Sequence, residues 1–143
     1  MKKTGCLLIL LAGVFLAGCS TPPPPGFEPL DTGWSTLEIR NDLNFERAWK
    51  LTIDTLARDF DLEFISKEDG YIRTAWSQTW NGVFQPYYRV RVTVLFPDNR
   101  QTIRIKPEAQ AFLEGDGWVI GTDKRLLPGL KEELLGSLGR TLR

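Results

Sequence analysis

The chain has 143 residues, 18 Lys and Arg against 18 Asp and Glu, two cysteines and no histidine. A zero net charge supplies no field for nucleic acid, so none is expected as a partner. Without histidine the usual general base of serine and cysteine hydrolases and the commonest zinc ligand are gone. A non-enzymatic protein is expected, with no metal and no cofactor.

In chain order, Met1-Lys2-Lys3 is a positive start, Leu7 to Leu16 a short apolar core, and Ala17-Gly18 a pair of small residues before Cys19. This is the three-part layout of an export signal, and the core is too short to span a bilayer as a permanent helix. The small-small-Cys ending resembles the lipobox of bacterial lipoproteins. That resemblance implies removal of residues 1–18 as a signal peptide and acylation of Cys19, whose covalent lipid then serves as a membrane anchor. Several acyl chains hold a protein stably at about 0.8 kcal/mol per buried methylene. Ser20 stands where an aspartate would imply retention at the inner membrane, so an outer-membrane, periplasm-facing location is expected. The mature chain would be about 125 residues long, slightly acidic and free of thiols, since Cys6 leaves with the signal.

Residues 19–33 read as the lipidated cysteine and a proline-rich linker: Pro22 to Pro25 run together, with Gly26 and Pro29 behind. A dozen such residues in extended form would span roughly 35–40 Å. Residues 34–143 read as one α+β periplasmic domain. Ser35 to Arg40 alternates like a strand. Asp42 or Asn44 is placed to cap a helix whose apolar stripe is Phe45, Trp49, Ile53, Leu56 and Phe60. Glu46–Lys50 and Asp54–Arg58 are the ion pairs expected along it.

Leu62 to Ile65 is a second strand, Glu68-Asp69-Gly70 a turn, and Tyr71 to Trp80 a third strand. Asn81-Gly82 is a turn signal. Tyr87 to Phe96 is the clearest strand, with Val90, Val92, Val94 and Phe96 alternating with Arg89, Arg91, Thr93 and Leu95. A two-residue Asp98-Asn99 loop would return it into Thr102 to Lys106, pairing Val94 with Ile103 and Val92 with Ile105. Pro107 implies a bulge or an edge, Gln110 to Leu113 resumes the strand, and Glu114 to Gly117 turns. A last helix is expected from Pro128 to Leu142, or from as early as Thr122 or Asp123, with Leu127, Leu130, Leu134 and Leu138 along one side and Thr141 or Leu142 closing it. The whole predicts a two-layer fold: an antiparallel sheet with two amphipathic helices on one face.

Phe45-Glu46-Arg47-Ala48-Trp49, Leu56 and Phe60 in the first helix, Asp69-Gly70-Tyr71-Ile72, Tyr88 to Phe96, and Leu130-Lys131-Glu132-Glu133-Leu134-Leu135 resemble the helix-grip domains of the BamC (NlpB/DapX) lipoprotein family. The resemblance covers most of the chain after the linker. It implies a helix-grip-like fold, an envelope compartment and a part in outer-membrane assembly. BamC proteins carry two such domains and a long partner-clasping segment. This chain has one domain and no matching segment, so no binding residue carries over.

Three groups are candidates for a site. If the valines face the helices, Arg89, Arg91, Arg104 and Lys106 share the other face, where the expected register sets Arg91 beside Lys106 and Arg89 beside Glu108. Such a cluster suits an anionic lipid or an acidic patch on an envelope protein; a plain solvated face is the simpler reading. Trp76, Trp80, Phe84, Tyr87 and Tyr88 form an aromatic segment in which Trp80 and Phe84 flank a turn and suit an interface, or else complete the core. Glu114, Asp116 and Asp123 are acidic but lack calcium-loop spacing. The expectation is therefore a membrane-anchored binding or assembly accessory, or alternatively a carrier or sensor of a small amphipathic ligand or lipid held between the layers.

Overall fold

The computed structural model describes residues 24–30, 33–80 and 82–139, the side chain of Trp80 excepted. The signal segment 1–18, Cys19, Asn81, Thr141 and Leu142 lie outside the described residues. The elements are β1 (Phe27–Glu28), β2 (Ser35–Glu38), α1 (Phe45–Leu56), β3 (Leu62–Ser66), β4 (Tyr71–Thr74), β5 (Thr79–Trp80), β6 (Val83–Phe84), β7 (Tyr88–Leu95), β8 (Thr102–Leu113), β9 (Gly117–Asp123) and α2 (Leu126–Leu138). An antiparallel sheet runs β1-β9-β8-β7-β4-β3, with β2 sharing the far edge of β8 with β9; β5 and β6 make a small separate hairpin. The fold is α+β in two layers, as the sequence predicts.

The strict alternation in β7 and β8 makes this architecture possible. Val90, Val92, Val94, Ile103, Ile105, Ala109 and Ala111 are all fully buried, because every second side chain of a strand points to the same face. The helices cover that face. In α1 the side chain of Asn44 accepts the Arg47 amide at 2.9 Å and caps the first turn. The buried side of α1 is rotated from the predicted stripe: Ala48, Trp49, Thr52, Thr55 and Leu56 are buried, while Ile53 is only partly so. The threonines are tolerated because their hydroxyls are bonded, Thr52 to the Ala48 carbonyl at 2.9 Å and Thr55 to Ser137 of α2 at 3.4 Å. Phe96 sits against Trp49 and Phe45 at ring separations of 5.5 and 5.4 Å.

The ion pairs along α1 differ from those expected. Lys50 lies one turn from both Glu46 and Asp54 and takes Asp54 at 2.6 Å. The outer two charges find partners off the helix: Glu46 pairs with Lys67, and Arg58 approaches Glu133 of α2 at 3.6 Å.

The β7–β8 register is two residues away from the expected one. Val94 faces Ile105 and Val92 faces Pro107. The connection is longer than two residues: the chain turns through Pro97–Arg100, with the Arg100 amide bonded to the Pro97 carbonyl at 2.9 Å and Arg100 in the left-handed region at φ 52°, while the Phe96 amide continues the β4–β7 ladder to the Gly70 carbonyl. A two-residue shift keeps every side chain on its face and changes only its cross-strand neighbour. Pro107 lies within a continuous β8, without a bulge. The Val92 amide points to β4, bonding Thr74 Oγ1 at 2.9 Å, so its partner Pro107 turns its nitrogen to the opposite edge. There β2 pairing ends at Ile105 and β9 pairing begins at Ala109, so the missing N–H falls in a gap.

The long strand expected from Tyr71 to Trp80 stops at Thr74, whose side chain replaces a ladder acceptor. The chain touches β7 once more at Ser77 and Val90 before the β5–β6 hairpin. The last helix begins at Leu126, and Thr122 and Asp123 belong to β9. Its leucines Leu126, Leu130, Leu134 and Leu138 recur one turn apart and are all buried.

The linker is shorter than expected, and the domain begins before residue 34. Phe27 is buried against Tyr88, edge to face at 6.2 Å, and β1 pairs with β9 through Phe27–Asp123 and Glu28–Thr122. The β1 backbone comes close over Gly121, where any Cβ would strike the Phe27 ring and the Glu28 carbonyl. A hydrophobic residue after the prolines supplied enough burial to add an edge strand.

Candidate functional site

The side of the sheet turned away from the helices carries an arginine–aromatic ladder. It follows from the same alternation that builds the core: with Val90 and Ala111 inward, Arg89, Arg91, Gln110 and Phe112 must point outward. Arg89 donates through Nε to Gln110 at 2.7 Å. Its guanidinium lies over Trp118 at 4.3 Å and Trp76 at 5.1 Å. Arg91 also lies over Trp76, at 4.4 Å, and pairs with Glu108 at 2.8 Å. Phe112 then links Trp118 and Tyr87 at ring separations of 5.7 and 6.0 Å.

The expected cluster of like charges is therefore absent. The two-residue change of register puts Arg91 against Glu108 and Arg89 against Gln110, while Lys106 faces Thr93 and Arg104 faces Leu95. Arg104 stacks on Trp34 at 4.9 Å, at the far end of the same face. The four basic residues do share one side, but it is an amphipathic surface on which Arg89, Arg91 and Arg104 lie over aromatic rings, each such contact worth about 0.5–1 kcal/mol when exposed.

The aromatic segment divides. Tyr88 is buried and Trp76 half-buried beneath the arginines, while Phe84 and Tyr87 are 63% and 60% exposed. Trp80 is placed only as backbone, paired with Val83. Phe84, Pro86, Tyr87, Phe112 and Pro24 line an open groove of about 230 Å³. Trp34, Phe112, Trp118 and Ile120 belong to this surface and were not among the sequence candidates. Their signal was the period-two pattern: Trp118 and Ile120 alternate with Val119 and Gly121.

The acidic candidates do not meet. Glu114 and Asp116 are exposed in the β8–β9 turn, whereas Asp123 is 1% exposed at the other end of β9. Asp123 accepts the Tyr88 hydroxyl at 2.5 Å and the Arg125 amide, Nε and guanidinium NH2 at 2.8, 3.0 and 2.7 Å. Burial opposes its charge, but the Arg125 and Tyr88 bonds outweigh that and hold the carboxyl below its ordinary range. Burial and the neighbouring carboxylate push the Tyr88 hydroxyl far up. With its oxygens saturated from within, this buried cluster is suited to tying β7, β9 and the start of α2 together.

A cavity of about 470 Å³ opens between Thr55, Arg58 and Phe60 of the α1 end, Gly129, Leu130 and Glu133 of α2, and the β5–β6 hairpin. It lies on a flank of the fold and mixes charged with apolar walls. Among the described residues there is no group of three or more His, Cys, Asp or Glu placed to hold a metal ion. No helix among them is long and apolar enough to cross a membrane. No protein-family model matches the chain, and no curated protein matches it in sequence.

Proposed function

We propose that this protein is a non-enzymatic lipoprotein, anchored through acylated Cys19 to the periplasmic side of the outer membrane, that serves as a binding or assembly accessory of the envelope. The working surface is the outer sheet face. The observation that carries this reading is the Arg89–Trp118–Phe112–Tyr87 ladder, an exposed aromatic and arginine surface on a rigid sheet. Trp, Tyr and Arg are the residues most enriched where proteins meet partners. The lipobox-like Leu16-Ala17-Gly18-Cys19 and the BamC-like packing pattern support the compartment.

Metabolic palmitate labelling tests the anchor: label and membrane association are expected in the native chain and lost in Cys19→Ala. Isolation from detergent-solubilised membranes tests the surface. A specific envelope protein or anionic lipid should accompany the native protein and be reduced at least about tenfold in Trp118→Ser/Arg89→Glu, a loss of about 1.4 kcal/mol. Equal recovery would remove the outer face from the reading. Co-purification of a small amphipathic ligand, unaffected by those substitutions, would favour the carrier alternative and the flank cavity.

A further inference from the structure

We infer that the occupant of the outer sheet face is the bilayer itself, with Trp118, Phe112 and Ile120 seated at the headgroup–acyl boundary of the membrane that holds Cys19. This rests on the lipid-anchor reading above and names the partner of the same surface.

The first argument is reach. The described residues begin at Pro24, which lines one groove with Tyr87 and Phe112. Five residue steps separate Pro24 from Cys19, and even a fully extended chain covers no more than about 3.6 Å per step, about 18 Å in all. The headgroup layer of one leaflet takes roughly 5–8 Å of that. The remaining gap is far below the roughly 30 Å diameter of a small partner domain, so no folded protein fits between this end of the fold and the bilayer.

The second argument is chemical. Trp118, Phe112 and Ile120 are 38%, 42% and 57% exposed and adjacent on β8 and β9. The Arg89 guanidinium carbon lies over the Trp118 ring at 4.3 Å, so its cation sits beside the apolar patch, placed to meet lipid phosphates while the rings enter. Amphipathic aromatic rings with neighbouring arginines are the composition of membrane–water interfaces. The opposite layer is more polar: Glu46, Arg47, Lys50 and Asp54 of α1 and Glu132 and Glu133 of α2 are exposed there, with Leu135 of α2 the exposed large apolar side chain among these helices.

Spin-label accessibility in the full, lipidated protein tests this. On the anchor reading the mature chain has no free thiol, so Ile120→Cys and Glu132→Cys can each be labelled uniquely. The probe membranes are vesicles of phosphatidylethanolamine and phosphatidylglycerol. The label at 120 should lie about 5–10 Å below the headgroups, reached by oxygen and shielded from an aqueous nickel chelate; the label at 132 should remain open to the chelate. Phe112→Ser/Trp118→Ser should return the 120 label to water. Equal chelate exposure at both positions in acylated protein overturns the membrane seat and leaves the anchor intact. Shielding of position 120 that appears only on adding envelope protein overturns it in favour of a protein occupant. An intact mass without acyl chains on Cys19 defeats the anchor reading, and this inference with it.

Discussion

Asp123 is the residue on which most separate parts of the molecule converge. It takes one bond from Tyr88 of β7 and three from Arg125 at the start of α2, and its neighbour across the sheet edge is Phe27. Hydrogen bonds to a charged group contribute about 1.5–3 kcal/mol each, less where the partner reaches solvent, as Arg125 does. Asp123→Asn should therefore lower the unfolding free energy by about 2–3 kcal/mol in urea titrations at neutral pH, and Tyr88→Phe by about 1–2 kcal/mol. The pH dependence has a definite sign. The Asp123 pKa is depressed on folding, so its contribution is present above the ordinary carboxylate range and lost as pH falls through its lowered folded value. Tyr88 is raised, so its contribution is complete below the ordinary tyrosine range and declines as pH rises above it. Acid loss should shrink in Asp123→Asn, and alkaline loss in Tyr88→Phe. Neither slope changing would show that the cluster is not coupled to folding.

At the scale of elements, the most informative departure from expectation is β1. The prolines around it read as a spacer, and nothing local marks Phe27–Glu28 as a strand. Its formation depends on a distant residue: Gly121, without a side chain, lets the Phe27 ring and the Glu28 backbone approach β9. Gly121→Ala should displace β1, cost about 1–3 kcal/mol, and expose the Phe27 segment to protease while β7 and β8 stay protected from hydrogen exchange. Unchanged proteolysis would show that β1 does not depend on that close approach. The β7–β8 hairpin teaches the complementary lesson. Its faces were readable because alternation is local, but its register follows from a turn through Pro97–Arg100 that is longer than the two residues expected. That shift decided the candidate site, exchanging an expected Arg91–Lys106 neighbour for the Arg91–Glu108 pair.

For the whole molecule, the position of the first described residue packed against the domain bounds how far from Cys19 the domain can sit. A linker ending at residue 33 would have held the domain well clear of a bilayer; one ending at Pro24 does not. If the proposed membrane seat is held by this short tether, inserting about 15 Gly and Ser residues between Cys19 and Pro24 should reduce immersion of the position-120 label. The effective concentration would fall about eightfold for a fourfold longer linker, with membrane association itself unchanged. Immersion that does not respond to linker length would mean that the face holds the membrane without help from the tether.

The sequence by itself determined the two-layer α+β class, the inward valines of β7, a capped start of α1 at Asp42 or Asn44 and the leucine face of α2. Each depends on spacing of two, three or four residues along one segment. It also determined that Arg89, Arg91, Arg104 and Lys106 share a side of the sheet. Only the tertiary structure decided which residues oppose one another there, that Trp118 and Phe112 complete the surface, and that Phe27 belongs to the core. Those outcomes depend on how a turn closes and on contacts between segments far apart in the chain, where the length of one turn or one absent Cβ selects among pairings that the local pattern leaves equally favourable.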